Sequence, residues 1–432
     1  MIFEKVISIT FVTNIKHHAR ISFIKSNRLN NLSYAIRGPI FDIAQQLEAM
    51  GQKIINLNIG NPAPFGFDVP DEIIHDMLIN IRNAQGYSHH LGIFSARKAV
   101  MHYTQQQGVK GVTIEDIFIG NGVSELILMS MQAVLNDGDE VLIPSPDYPL
   151  WTTAVSLSGG KPVHYICDEA ADWNPDIDDI TSKITAKTKG IVLINPNNPT
   201  GAVYEKDVLK SIVKLAQEHK LIIFSDEIYD KILYDSNIHH PVAALSDDVL
   251  IFTYGGLSKN YRAAGFRGGW LVLSGPVHRA KSINEGLNLL ASMRLCANVP
   301  TQYAIQTALG GYQSIQDLVA PEGRLTRQRD LIHYMMTDIP GISCVKPKGA
   351  LYLFPKIDLK KFDFNSDEDF AYRLLEEKHV LIVPGTGFNH RDHAHFRIVF
   401  LPQLDELEHD ARLMRNFLDS SRVISATNVI EV

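Results

Sequence analysis

One window, GGLSKNYRAAGFRGGW at residues 255–270, concentrates residue types that can do covalent chemistry. A single lysine, Lys259, follows Ser258 among small residues, and Arg267 lies eight positions on. Lysine forms Schiff bases with aldehydes and ketones when burial or a nearby cation keeps part of it neutral. Arginine grips phosphate, because its planar fork donates two parallel hydrogen bonds. Glycines on either side let the backbone approach a bound group closely. A reactive carbonyl and a phosphate on one molecule point to pyridoxal phosphate. By itself an S-K-x7-R pattern is commoner on a solvated surface, so the window needs support from the rest of the chain.

The elements that would have to position it supply that support. Short, nearly all-apolar runs occur at residues 116–119, 140–143, 162–166, 190–194, 221–224, 249–254 and 270–273. Stretches with helical periodicity, such as 124–135 and 206–219, separate most of them. This pattern predicts an α/β fold with a mainly parallel, seven-stranded sheet covered on both faces. Ligands of such sheets lie beyond the carboxyl ends of the strands. There the chain places GNGVSE (120–125), a glycine loop opening a helix and suited to a phosphate. PSPDYP (144–149) presents Tyr148 from a rigid turn, and NPNNPTG (195–201) carries two Asn-Pro steps. DEIY (226–229) sets an acid and a phenol three apart, on one face if the chain is helical there. Each has a plain structural explanation: Asn-Pro steps are usually turns, Asp226 could cap a helix, and Tyr148 could be core. With the lysine window itself, which follows the run at 249–254, five such loops at strand ends are harder to explain that way.

Beyond about residue 276 the character changes. A helical region at 277–306 includes Arg294, and a smaller unit follows to about 418. It contains an expected strand at 347–354, a turn VPGTG at 383–387, and the strand HFRIVF at 395–400. Buried arginine is rare unless paired, so Arg397 inside that apolar run is expected to hold an anion. Toward the N-terminus a helix is expected at 40–50, a strand at 53–59, and a turn-rich loop GNPAP at 60–64. The expected division is an extension over 1–24 and an N-terminal segment at 25–64 that belongs with the small domain. A large domain at 65–310, a small C-terminal domain at 311–418 and a tail at 419–432 complete it.

Composition excludes several classes. The chain of 432 residues, 45% hydrophobic and 21% charged, is long enough for a large domain and a smaller one. A net charge of -7 gives no footprint for nucleic acid or anionic membranes. No apolar run approaches the roughly 18 residues a membrane span needs. Cys167, Cys296 and Cys344 are far apart and form no CxxC, which fits a reducing cytoplasm. The 17 histidines include adjacent pairs but no HExxH, so no metal is expected. VISITFV (6–12) is short for a signal segment and lacks a small-residue cleavage site.

Jointly, NPNNPTG, DEIY, Ser258-Lys259 and Arg267, in this order and spacing, resemble the class I/II aminotransferases of pyridoxal-phosphate fold type I. The resemblance extends over about residues 32–418. YAIRGP (34–39), LNIGNPAPFGF (57–67), SPDYPLW (145–151) and MRLCANVP (293–300) are more closely similar to the bacterial glutamate–pyruvate (alanine) aminotransferases. Gly256, three before the lysine, departs from the family's frequent serine, and Arg262 and Gly268 are also unusual there.

The resemblance implies a role for each residue. Lys259 carries the cofactor and shuttles the substrate proton. Asp226 pairs with the pyridine nitrogen, Tyr229 and Asn198 hydrogen-bond the phenolic oxygen, and Tyr148 stacks on the ring. Val123, Ser124, Ser258 and Arg267 hold the phosphate, with Tyr87 reaching it from a partner subunit, which implies a homodimer with shared sites. Arg397 clamps the substrate α-carboxylate with help from Gly60 and Asn198. Arg37, with Tyr34, takes the distal carboxylate of glutamate, with Arg294 as the rival. The implied reaction is ping-pong amino transfer between L-alanine and 2-oxoglutarate, giving pyruvate and L-glutamate. Another small-amino-acid aminotransferase, a carbon–sulfur β-lyase on the same fold, and a regulator that keeps the site are the alternatives.

Overall fold

The computed structural model describes residues 23–26, 29 and 38–423. The chain divides into two units, Met1–Leu32 and Ser33–Val432, and the second holds the sheets, the helices and the candidate site. Tyr34, Arg37, the tail beyond 423 and all of the expected extension except Phe23 and Ile24 lie outside the described residues.

Seven apolar runs do become strands of one sheet, and an eighth, Asn174–Pro175, joins them. In space the order is Ile117–Gly120, Gly269–Ser274, Ile251–Gly256, Ile222–Asp226, Thr188–Ile194, Glu140–Ser145, Lys161–Asp168, Asn174–Pro175. The five strands from Ile251–Gly256 to Lys161–Asp168 pair in parallel. Gly269–Ser274 and Asn174–Pro175 run against their neighbours, so the sheet is mixed and mostly parallel. The seven-strand expectation missed Asn174–Pro175 because two residues ending in proline carry no apolar pattern.

Alternate residues of the strands feed two cores, as a sheet covered on both faces requires. Ile117, Ile119, Leu142, Ile191 and Leu193 enter one, with Leu209, Ile212, Val213 and Ala216 from the helix Lys206–His219. Phe118, Val141, Ile143, Val192 and Ile194 enter the other, with Leu126, Ile127 and Met131 from the helix Val123–Val134. Burying each such aliphatic side chain contributes roughly 1.5–3 kcal/mol. Consecutive strands step outward in both directions from the gap between Glu140–Ser145 and Thr188–Ile194. That gap is a topological switch point, where a crevice opens at the carboxyl ends.

Two expectations about helices are corrected. The region 277–306 is two helices, Lys281–Met293 and Val299–Gly310. Pro300 can sit only in a first helical turn, and Leu295 takes φ +73° in the break. DEIY does not open a helix: after Asp226 the chain makes a turn, with Ile232 N–H donating to the Tyr229 carbonyl at 2.8 Å.

A third core lies against the three-stranded antiparallel sheet of Tyr352–Leu353, Phe396–Val399 and Val383–Pro384. The helix Leu404–Ser420 closes it with Leu407, Ala411, Met414 and Leu418, a stripe at helical spacing. Ile55–Asn56 pairs in parallel with Val380–Leu381, and Val399 N–H donates to the Leu57 carbonyl at 2.9 Å. These bonds carry the loop around Gly60 into the region where the strands of the large sheet end.

Candidate active site

Each loop expected to carry chemistry ends at one cavity of about 430 Å³, within the range of small-ligand sites. Gly60, Val123, Ser124, Tyr148, Asn198, Asp226, Tyr229, Ser258, Lys259, Arg267 and Arg397 all line it. Its apolar wall includes Ile59, Ile127, Leu150, Ile194, Ile228 and Ala264. Tyr87 is not among the lining residues and is 82% exposed. Arg294 is not among them either. Its guanidinium pairs with the Glu125 carboxylate and donates to the His90 carbonyl at 3.2 Å and the Ile119 carbonyl at 2.5 Å. Arg294 therefore braces the glycine loop.

At one end of the cavity the helix Val123–Val134 begins after Gly122 at φ +82°, ψ 166°, a conformation essentially reserved for glycine. A Cβ on Gly122 would come within 2.2 Å of the Arg267 guanidinium. Arg267 lies across this loop, donating to the Asn121 carbonyl and to Ser124 Oγ, both at 3.2 Å. Helix N–H groups, a hydroxyl and a guanidinium thus converge as a receptor for a dianion. The packing around Gly256 accounts for the absence of a serine three before the lysine. A Cβ there would lie 2.9 Å from the Gly268 carbonyl and 3.3 Å from Gly269 Cα, so the close pairing of the two strands leaves little room for one.

Asp226 ends its strand opposite Ile194 and Tyr254, and its carboxyl is buried. Burial pushes its pKa up to about 6, against hydrogen bonds from the Trp151 indole at 3.2 Å and the Ile228 N–H. A buried carboxylate with so raised a pKa is a receptor for a cationic ring nitrogen. Of the three asparagines in NPNNPTG, two brace the loop: Asn195 accepts from Tyr204 N–H and Asn197 from Thr200. Asn198 alone of the three lines the cavity, where its Oδ1 accepts from Arg397 Nη1 at 2.9 Å. Arg397 is buried, also bonds the Asn58 carbonyl, and stands over the rings of Tyr352 and Phe388 at 4.5 and 4.6 Å. Lys259 Nζ donates to the Gly60 carbonyl at 2.6 Å, on the same side of the cavity.

Two residues at this centre escaped the sequence reading. Tyr352 lines the cavity, its hydroxyl 2.6 Å from that of Tyr229 and its ring beneath Arg397. A Cβ on Gly60 would lie 2.3 Å from the Tyr352 hydroxyl, so glycine there is what admits the ring. Burial, then Tyr352, raises the Tyr229 phenol well above its ordinary range, so Tyr229 keeps its proton. Trp151 is fully buried behind Asp226. Both sit in apolar runs, KGALYLFP and DYPLW, and pattern alone assigns them to core.

Residues 52–413 match the family described as Aminotransferase class I and II. The chain belongs to the class I and II aminotransferases. It is 60% identical over 400 residues to the glutamate-pyruvate aminotransferase AlaA of Haemophilus influenzae, covering 93% of this chain and 99% of that protein. It is 52% identical over 407 residues to an alanine aminotransferase of Mycobacterium bovis, covering 94% and 95%. Among solved structures, an aminotransferase from Escherichia coli superposes with a TM-score of 0.92 at 57% identity, covering 93% of this chain and all of that one. The alanine aminotransferase of Pyrococcus furiosus does so with 0.88 at 37%, covering 92% and 100%. Aminotransferases of this class use pyridoxal phosphate, and the donors of the cavity fit that group. The lysine, the dianion receptor, the buried carboxylate, the phenol of Tyr229 and the ring of Tyr148 all line one space. Among the described residues no helix is long and apolar enough to cross a membrane.

Proposed function

We propose that this aminotransferase moves the amino group between L-alanine and 2-oxoglutarate, giving pyruvate and L-glutamate, in a ping-pong reaction with pyridoxal phosphate. The convergence of Lys259, Asp226 and Arg397 on one cavity carries the reading. High identity over nearly the whole chain to relatives named for this activity supports the substrates. When bound, the cofactor supplies an electron-withdrawing ring that stabilises negative charge at the substrate Cα. Lys259 takes the proton from Cα and returns it on the other side of the transfer, as general base and then acid. Asp226 holds the proton on the ring nitrogen, and Tyr229 and Asn198 hydrogen-bond the phenolic oxygen. Tyr148 covers one ring face. The backbone of Val123 and Ser124, with Ser258 and Arg267, binds the phosphate. Arg397 holds the α-carboxylate bidentately, with Asn198 and the Gly60 N–H beside it.

Glutamate brings a second carboxylate, and we assign it to Arg37 with Tyr34, since Arg294 is already engaged with Glu125. Tyr87 serves the phosphate of a partner subunit in a homodimer. Its exposure of 82% leaves the side chain open to a second chain, which is compatible with this role. Leu57, with Ile40 and Ile55 packed beside it, shares a core with Phe396, Ile398 and the helix Leu404–Ser420, which supports a small domain at 311–418 that takes in 25–64, next to a large domain at 65–310. The free cysteines among the described residues support a reducing cytoplasm.

The test is a half-reaction. Purified holoenzyme is mixed with one amino acid at a time, without an acceptor, and the cofactor absorbance is followed. Alanine and glutamate should each convert it, pyruvate should reverse the change, and Lys259→Ala should abolish it. Arg37→Ala should weaken glutamate far more than alanine. Conversion by other amino acids only would remove the substrate assignment. Ammonia release without any acceptor would identify a β-lyase instead.

A further inference from the structure

Outside the active site, the loop before the Arg397 strand brings together His390, Asp392 and His395, spaced H-x-D-x-x-H. One donor atom from each lies within 4.8 Å of the others. Asp392 Oδ1 is 2.9 Å from His395 Nδ1 and 3.3 Å from His390 Nε2. A metal bound at about 2.0–2.2 Å holds neighbouring donors about 3.0–3.4 Å apart, so the His390 edge already matches and the His395 edge needs to open by about 0.1 Å or more. Neither ring nitrogen of His390 has a hydrogen-bond partner of good geometry among the described residues, although both are buried.

The surroundings also resemble a built site. His395 is fully buried, and its other nitrogen, Nε2, faces the Glu169 carboxylate at 3.4 Å. A carboxylate behind a ligating histidine is the usual outer partner that fixes the ring. Phe354 stacks on His395 at 4.9 Å, and Trp173 meets both histidines edge-on at 5.4 and 5.6 Å. These contacts hold the rings in place before any ligand arrives. Lys356 pairs with Asp392 Oδ2 at 3.1 Å and with Glu169 at 3.4 Å. It engages the carboxylate oxygen that does not face His390. Asp392 is partly exposed, which leaves a path for entry and room for water ligands.

We propose that His390, Asp392 and His395 form a binding site for a divalent transition-metal ion of the zinc type. Two imidazoles and one carboxylate suit zinc, nickel or copper, whereas magnesium and calcium require oxygen donors throughout. The ion would fasten the loop that enters the Phe396–Val399 strand, and so act on Arg397 from outside the cavity. The chain contains no HExxH, and H-x-D-x-x-H is not a common metal signature, so no metal is expected from the sequence alone.

The test uses chelator-washed holoenzyme dialysed against micromolar zinc. One zinc per chain should be retained, and cobalt(II) in its place should give visible ligand-field bands. His390→Ala and Asp392→Asn should each weaken zinc binding by about tenfold or more and remove the cobalt bands. Neither should alter the cofactor absorbance, since neither side chain lines the cavity. His390→Gln covers the case in which truncation disturbs folding. The proposal is overturned if the wild type retains no zinc, or if all three variants bind zinc as the wild type does.

Discussion

Asp226 illustrates how far a side chain's chemistry depends on its surroundings. The acid is ordinary in sequence, yet burial lifts its pKa to about 6 from the usual 3.8. The folded protein therefore binds this proton more tightly than the unfolded chain does. Stability from the group is present at low pH and is lost as pH rises from about 4 to about 6. The difference between those two values corresponds to roughly 3 kcal/mol. Denaturation of cofactor-free protein should show this loss, and Asp226→Asn should lack it. Asp410, also raised by burial to about 6, adds a slope of the same sign. The informative quantity is thus the difference between wild type and variant at about pH 4 and about pH 7. A difference that stays constant across that window would remove Asp226 as its source. Adding pyridoxal phosphate should flatten the wild-type slope, because a ring cation then pairs with the carboxylate.

At the scale of elements, the phosphate receptor depends on a backbone that only glycine adopts. Gly122 breaks the chain between the strand Ile117–Gly120 and the helix Val123–Val134, and Arg267 packs where its side chain would be. Gly122→Ala should destabilise the protein by about 1–3 kcal/mol from backbone strain alone. It should also displace Arg267 and lower the affinity for pyridoxal phosphate. Thermal denaturation and a cofactor titration measure the two effects. An alanine variant with wild-type melting and binding would mean that the loop relaxes at no cost.

At the scale of the whole molecule, the site is expected to be complete only in a dimer. Tyr87 stands 82% exposed, with Phe94, Met293 and Leu295 also largely exposed. If Tyr87 serves the partner's phosphate, two defective chains can repair each other. Mixing Lys259→Ala with Tyr87→Phe creates hybrids with one wild-type site each. Random reassociation should then restore about a quarter of wild-type activity at limiting cofactor. No recovery above the Tyr87→Phe homodimer would place Tyr87 within its own subunit's function.

Much of this was legible in the chain itself. Apolar runs such as those at 190–194 and 270–273 are too short for buried helices and are bounded by glycine or proline, so their length and flanks placed the strands within a residue or two at most ends. The Ser258-Lys259, Asp226 and Asn198 motifs follow strands, and the crevice rule alone brought them to one end of the sheet. Tertiary structure decided what pairwise proximity decides. It supplied the physical reason that sets Asn198 apart from Asn195 and Asn197, a choice only the family resemblance offered, because of the three only Asn198 meets Arg397. It moved Arg294 from a candidate substrate ligand to a brace on Glu125. It drew Tyr352 and Trp151 out of apolar runs into contact with Tyr229 and Asp226. Local pattern reports which face of an element is buried; which polar atoms meet inside is set by residues far away along the chain.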